Sequence, residues 1–222
     1  MRCSLLVETE STRVVVDCGP DFRQQILPQP FRRIDGILIT HAHYDHMGGM
    51  DDIRPYCQFG DINVYADATA CSGLLQMLPY CFEENRYPGV PAIGLHQINA
   101  GELLTIGDID ILPVRVMHGQ LPILGFRFDK FAYITDMKTM EHSQKQLLQG
   151  VEVLVVNALR FERAHHSHQL VDDAIAFARS LGVKRTLLTH LCHDTGPHAE
   201  ASERLPKGVE LAYDGMLIEM VD

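Results

Sequence analysis

Apolar and polar positions change period several times along this chain, and each change predicts an element. Cys3 to Val7 and the β-branched Arg13 to Val16 read as the two strands of a hairpin, the second ending at the turn signal Asp17-Cys18-Gly19-Pro20. Asp21 then predicts a capped short helix to about Leu27, stopped by Pro28 and Pro30. The apolar run Gly36 to Ile39 predicts a strand, Met47 to Tyr56 a helical turn, Ile62 to Tyr65 a strand and Ala68 to Leu78 a helix. Phe82 to Gly94, rich in Glu, Pro and Gly, reads as a surface loop or insertion whose aromatics Phe82 and Tyr87 could line a substrate entrance, although anchoring the loop is the plainer reading. From there the pattern is mostly strand: Leu95 to Ile98, Glu102 to Ile106, Ile109 to Val116, Ile123 to Phe128 and Phe131 to Ile134. Helices at Met140 to Leu148 and Leu170 to Ser180 alternate with strands at Val153 to Val156 and Arg185 to Leu188. Val209 to Leu211 and Met216 to Glu219 close the chain as short strands.

Two runs of strands accompanied by helices predict an α/β fold of four layers, αββα, with two sheets face to face and helices outside. With 222 residues and no linker-like stretch, residues 1–222 read as a single domain. An apolar share of 46% and a charged share of 22% are those of a soluble protein, and no apolar run is long enough to span a bilayer. The opening stretch is too short for a signal-peptide core, so a cytoplasmic location is expected. Six cysteines without CxxC spacing are expected to be reduced thiols rather than staples. A formal net charge of −10 disfavours a broad surface for long nucleic acid, while a small anionic substrate could still be drawn to bound cations.

The chemistry concentrates in Thr40 to Gly49, THAHYDHMGG, which sets His41, His43, Asp45 and His46 directly after a predicted strand. In an extended or turning segment alternate side chains point the same way, so His41 and His43 can converge on one cation while Asp45 and His46 turn toward a second. Three more ligand-type residues follow apolar strands: His118 after Ile111 to Val116, Asp136 after Tyr133-Ile134-Thr135, and His190 after Thr186 to Thr189. Rigid strand ends hold metal geometry better than loops do.

The decapeptide resembles the HxHxDH signature of the metallo-β-lactamase superfamily. That resemblance implies His41, His43 and His118 on one metal, Asp45, His46 and His190 on the other, and Asp136 bridging the two. Two divalent ions about 3.5–4 Å apart would ionise a shared water near neutral pH, which gives a hydroxide nucleophile with Asp45 and Asp136 in the catalytic centre. Imidazole and carboxylate ligands suit zinc or manganese, with iron as a third candidate. Relatives usually begin with a strand ahead of the one at Cys3, so a fold without that first N-terminal strand is expected.

An aspartate at position 136, where zinc β-lactamases carry cysteine, points to other branches of the superfamily. Discrimination among them is expected in Arg160 to His168, RFERAHHSH. Arg160 and Arg163 could bind phosphate oxygens, although a solvated loop is the plainer reading, and His168 could protonate a leaving alkoxide. The segments THLCH, Thr189 to His193, and YDGM, Tyr213 to Met216, resemble the PhnP-like cyclic phosphodiesterases, in which the place of His168 is that of the catalytic histidine. His193 is then expected to orient His190 or the substrate. The reading is a dinuclear metal-dependent hydrolase, a phosphodiesterase for small or cyclic phosphodiesters. Its alternatives are a glyoxalase-type thioester or lactone hydrolase and ribonuclease Z-like RNA processing. Dimers are common among relatives, so a homodimer is open by analogy alone, and the sequence does not give the oligomeric state.

Overall fold

The computed structural model describes residues 1–220. The chain divides into two compact units, Met1–Asp110 and Ile111–Asp222.

In the first unit β1 (Leu5–Glu8) and β2 (Arg13–Val16) form the expected antiparallel hairpin. Strands β3 (Gly36–Leu38), β4 (Ile62–Ala66) and β5 (Ile93–Gln97) then add in parallel, giving the order β1-β2-β3-β4-β5. A short β6 (Leu104–Ile106) follows. Strand β2 is buried along its whole length, as its unbroken apolar run requires of a strand covered on both faces. Its one charge, Arg13, is buried and therefore paired: Nε donates to Glu8 Oε1 at 2.7 Å and Nη1 to the Pro30 carbonyl at 2.8 Å. Helices α1 (Phe22–Ile26), α2 (Tyr44–Met47) and α3 (Ala68–Met77), with a 3-10 segment at Met50–Phe59, bury Phe22, Met47, Ile53 and Leu74 against Ile37 and Val64. Asp67 caps α3 by accepting from Ala70 N at 2.9 Å. Asp21, expected to cap α1, makes no such bond; its Oδ2 accepts the Arg2 amide at 2.7 Å instead. The loop after α3 is anchored as expected, with Tyr87 held by Arg54 Nη2 at 3.3 Å and its ring beside Tyr80 at 6.3 Å.

The exit of β2 is packed backbone to backbone against α2. Cys18 N donates to the His46 carbonyl at 2.8 Å, and Gly49 N to the Cys18 carbonyl at 2.9 Å. A Cβ on Gly49 would stand 2.0 Å from Gly19 O, and one on Gly19 would stand 2.2 Å from Asp45 O. Two backbones can approach this closely only where both glycines lack side chains. Gly49→Ala is expected to cost about 3 kcal/mol of stability in a urea titration; an unchanged midpoint would contradict this packing.

In the second unit the strands β7 (Ile109–His118, which starts just before the boundary), β8 (Leu121–Phe128), β9 (Phe131–Ile134), β10 (Val153–Asn157), β11 (Arg185–Thr189) and β12 (Val209–Leu211) run in the order β12-β11-β10-β9-β8-β7. Pairs β7/β8 and β8/β9 are antiparallel, and β9 to β12 are parallel. Two reversals restore direction, so β7, β9, β10 and β11 all end at the same edge of the sheet. His118, Asp136, Asn157 and His190 lie at those ends.

Helices α4 (His142–Gln146), α5 (Val171–Leu181) and α6 (His198–Glu203) complete the unit, with a 3-10 turn at His193–Thr195. Helix α5 buries Val171, Ala174, Ile175 and Ala178 on one face and stops at Gly182 with φ 71°, the left-handed cap that glycine favours. The mixed α/β class with two sheets is the one expected, with six helices among the described residues. Helix α4 is shorter than Met140 to Leu148, and its ends are single turns. The expected strand at Met216 to Glu219 does not form: Leu217 is 85% exposed, so no apolar face is buried there to hold it.

Candidate metal centre

The first unit presents its histidines from the exit of β3 and from α2. His41 follows β3, and its Nε2 lies 2.9 Å from His43 Nδ1, while the His41 and His46 rings stand 4.2 Å apart. Asp45 Oδ2 is 3.4 Å from His46 Nε2. Behind them lies Asp17, which the sequence offered only as part of a turn. Its fully buried carboxylate accepts His46 Nδ1–H at 2.7 Å, Thr40 N at 2.9 Å and the Thr40 hydroxyl at 2.9 and 3.0 Å. Because the Thr40 proton is spent on Asp17, its oxygen accepts from His41 Nδ1 at 3.0 Å. Both imidazoles thereby commit Nδ1 to the protein and turn Nε2 outward, the arrangement that orients histidine ligands. Asp17 holds φ 60°, a region costly for any residue with a side chain, and the parallel pairing of β2 with β3 is what sets it beside Thr40.

The second unit gathers His118, Asp136, His168 and His190. One ligand atom each from His118, Asp136 and His168 lies within 4.8 Å of the others, and His190 Nε2 is 3.1 Å from Asp136 Oδ1. His118 Nδ1 donates to the Ser167 carbonyl at 3.0 Å, which again leaves Nε2 to face outward. Asp136 and His190 both have φ 55°, and Asp136 is buried with Oδ2 accepting from Thr135 Oγ1 at 2.5 Å. Asn157, at the end of β10, clamps the next residue: it accepts Met137 N at 2.8 Å and donates to Met137 O at 3.0 Å. Three consecutive strand ends are thus locked together. Strained, buried polar residues of this kind mark a functional site.

His168 sits in the same cluster. Its ring is 4.6 Å from that of His118, 4.8 Å from that of His190 and 5.0 Å from that of His165. Its buried Nδ1 has no hydrogen-bond partner among the described residues, since Asp136 Oδ1 at 3.7 Å is too far. Lys138 Nζ fixes the His168 carbonyl at 3.0 Å. Burial pushes the His168 pKa down to about 4, helped by His190, His118 and His165 and opposed by Asp136. Above the ordinary histidine value of 6.5 both folded and unfolded His168 are neutral. Between 6.5 and about 4 only the unfolded chain takes up a proton, so stability is lost as pH falls through that window. The loss in metal-free protein is expected to be on the order of 2–3 kcal/mol. Urea titrations at several pH values should show it in the native sequence and not in His168→Gln; equal slopes would contradict the buried, neutral imidazole.

Other expectations fare differently. His193 was expected to orient His190 or the substrate, but the 3-10 turn that begins there rotates its ring outward, 94% exposed and 3.4 Å from Asp194 Oδ1. Arg160 and Arg163 lie in a surface loop, where both donate to Asp194 Oδ2 and the Arg163 side chain is 70% exposed. All six cysteines are free thiols, with Cys18 and Cys81 buried and the others half-buried. Among the described residues no helix is long and apolar enough to cross a membrane.

The donor set fits divalent cations. Imidazole Nε2 atoms and carboxylate oxygens are ligands for zinc and its neighbours, and the 2.9 Å between His41 Nε2 and His43 Nδ1 is close to the spacing of two nitrogens sharing one ion.

A β-lactamase superfamily domain matches residues 12–191, so the chain belongs to that superfamily, and its mixed α/β architecture is that of the metallo-β-lactamase fold. Proteins of that fold bind metal ions. In structure the chain is similar to a diphosphatase of the PhnP family, at a TM-score of 0.88 and 32% identity over 97% of this chain and 82% of that one. In sequence it is 37% identical to an octanoyltransferase of Porphyromonas gingivalis over 97% of this chain and 44% of that protein. It is 30% identical to a ribonuclease Z of Bradyrhizobium over 56% of this chain and 42% of the enzyme. The chain therefore spans less than half the length of these two relatives.

Proposed function

We propose that this protein is a dinuclear metal-dependent phosphodiesterase acting on small phosphodiesters. The ligands are His41, His43, Asp45 and His46 from the first unit and His118, Asp136 and His190 from the second. Zinc and manganese are the metals the donors suit best. When bound, they supply Lewis acidity toward phosphoryl oxygens and an activated water at neutral pH.

The observation that carries this reading is the second-unit cluster, where the buried His168 ring stands beside Asp136 and His190 with Nδ1 uncommitted. Cleaving a phosphodiester with a poor leaving group needs a proton donor beside the metal ligands, and thioester hydrolysis does not. His168 is neutral before substrate arrives. A phosphodiester brought against the ring adds negative charge, which favours the imidazolium, so His168 takes up a proton with the substrate and delivers it to the leaving oxygen. Asp17, Thr40, Ser167 and Asn157 hold the ligand side chains in place for this. Similarity to a PhnP-family diphosphatase and to a ribonuclease Z supports phosphorus as the electrophile.

The reading is tested by supplying bis(p-nitrophenyl) phosphate, a thioester and a lactone to protein loaded with manganese or zinc. Preferential turnover of the phosphodiester is expected. Turnover of the thioester or lactone alone would overturn the assignment.

A further inference from the structure

No hydrogen bond to the His168 ring is found among the described residues, and Asp136 Oδ1 stands 3.7 Å from its buried Nδ1. The ring's place is therefore set by packing and by its backbone, which lies in the connection between β10 and α5, outside any strand or helix. Connections are ordinarily the mobile part of a fold. A proton donor needs the opposite, because a misplacement of about 1 Å can cost about 10²-fold in rate. Placing His168 thus calls for ties from more rigid elements.

Two side chains supply them, on consecutive carbonyls. His118 Nδ1 donates to Ser167 O at 3.0 Å, and Lys138 Nζ donates to His168 O at 3.0 Å across 30 residues of chain. The backbones that carry these two side chains are themselves joined: Lys138 N donates to the Met117 carbonyl at 2.7 Å, and Met117 N to the Thr139 carbonyl at 2.9 Å. Asn157 holds Met137 through both its amide groups. The exits of β7 and β9 therefore form one base from which both ties rise. His118 has a second task as a candidate ligand, whereas Lys138 has none that competes. Its half-buried ammonium makes no other hydrogen bond and no ion pair among the described residues. It has given up part of its hydration for a single carbonyl, in a charge-assisted bond stronger than a neutral donor would make.

We propose that Lys138 is a positioning residue for the acid: its bond to the His168 carbonyl sets the distance between the His168 ring and the ligands His118 and Asp136. Without it the metal ligands stay in place, since none of them depends on Lys138 Nζ, but the imidazolium no longer meets the leaving oxygen as the P–O bond breaks. Its proton then arrives late or from water, and the loss falls on the chemical step rather than on binding. This inference rests on the reading of His168 as the acid of a phosphodiesterase.

The test uses metal-loaded protein and two diesters of thymidine 5′-phosphate, one ethyl and one p-nitrophenyl. Lys138→Met is expected to lower kcat for the ethyl ester about 10–100-fold, at unchanged KM and metal content, and to slow the p-nitrophenyl ester far less. Lys138→Arg keeps a charged donor and should recover most of the rate. In a His168→Ala background Lys138→Met should cost nothing further, because residues that act through one another are not additive. Equal losses on the two esters, or a further loss in that background, would overturn the positioning role. A second readout needs no turnover: the nuclear Overhauser contact between the ring protons of His118 and His168, whose centroids stand 4.6 Å apart, in metal-free protein with labelled histidine. It should weaken in Lys138→Met and persist in Lys138→Arg; a contact of native strength in Lys138→Met would overturn the tie. The two claims fail separately. A weakened contact in Lys138→Met, with neither ester hydrolysed by the native sequence, sinks the phosphodiesterase reading alone. Leaving-group dependence in His168→Ala, with native rates in Lys138→Met, sinks this inference alone.

Discussion

Asp17→Ala is expected to lower affinity for divalent metal about 10–100-fold and to cost at least about 3 kcal/mol of stability. The carboxylate is fully buried and receives four hydrogen-bond contacts, from His46 Nδ1, Thr40 N and the Thr40 hydroxyl to both oxygens. Its removal strands those donors in the core, where each unsatisfied group costs about 1–3 kcal/mol. It also releases two ligands at once, because Thr40 passes the constraint on to His41. Metal titration of the variant, followed beside its urea midpoint, distinguishes orientation from mere support. Weaker metal binding with a lower midpoint is expected; a lower midpoint at unchanged affinity would leave Asp17 as a structural residue only.

The second large effect is on turnover. His168→Ala is expected to slow hydrolysis of alkyl phosphodiesters about 10²–10⁴-fold, the usual worth of a positioned acid. The loss should be much smaller with p-nitrophenolate, which departs without needing a proton. That dependence follows from the ring's place beside Asp136 and from its uncommitted, buried Nδ1. An equal loss across leaving groups would assign His168 to substrate positioning or to the metal, and its place within 4.8 Å of the ligand atoms of His118 and Asp136 makes that comparison informative.

What could be read in the sequence was what local pattern encodes. Unbroken apolar runs such as Val14–Val16 and Val153–Val156 mark buried strands, and four potential ligands in one hexapeptide mark a candidate metal site whatever the surrounding fold. His118, Asp136 and His190 were legible because each stands at a strand exit, and the common direction of β7, β9 and β11 sets those exits along one edge. Asp17 was not legible. Asp-Cys-Gly-Pro is a turn signal on any chain, and only the parallel pairing of β2 with β3 places that aspartate under His41 and His46. The left-handed backbone of Asp136 and His190 leaves no mark on composition either.

Two misreadings and one missed pairing have physical reasons of the same kind. His193 stands three residues after His190, and proximity in sequence suggested a supporting contact, but the 3-10 turn that begins at His193 leaves its ring in solvent. Arg160 and Asp194 are 34 residues apart, so no local signal could pair them. The apolar alternation at Met216 to Glu219 resembled a strand, yet a strand also needs a face to bury, and Leu217 has none.

The central claim is that hydrolysis depends on two metal ions held by these residues. The most direct measurement strips the protein with a chelator, restores manganese or zinc in steps, and follows bound metal and bis(p-nitrophenyl) phosphate turnover together. Activity should be absent from the stripped protein and should rise to its plateau only as the second equivalent binds. Full activity in stripped protein, or a plateau already reached at one equivalent, would contradict the dinuclear account.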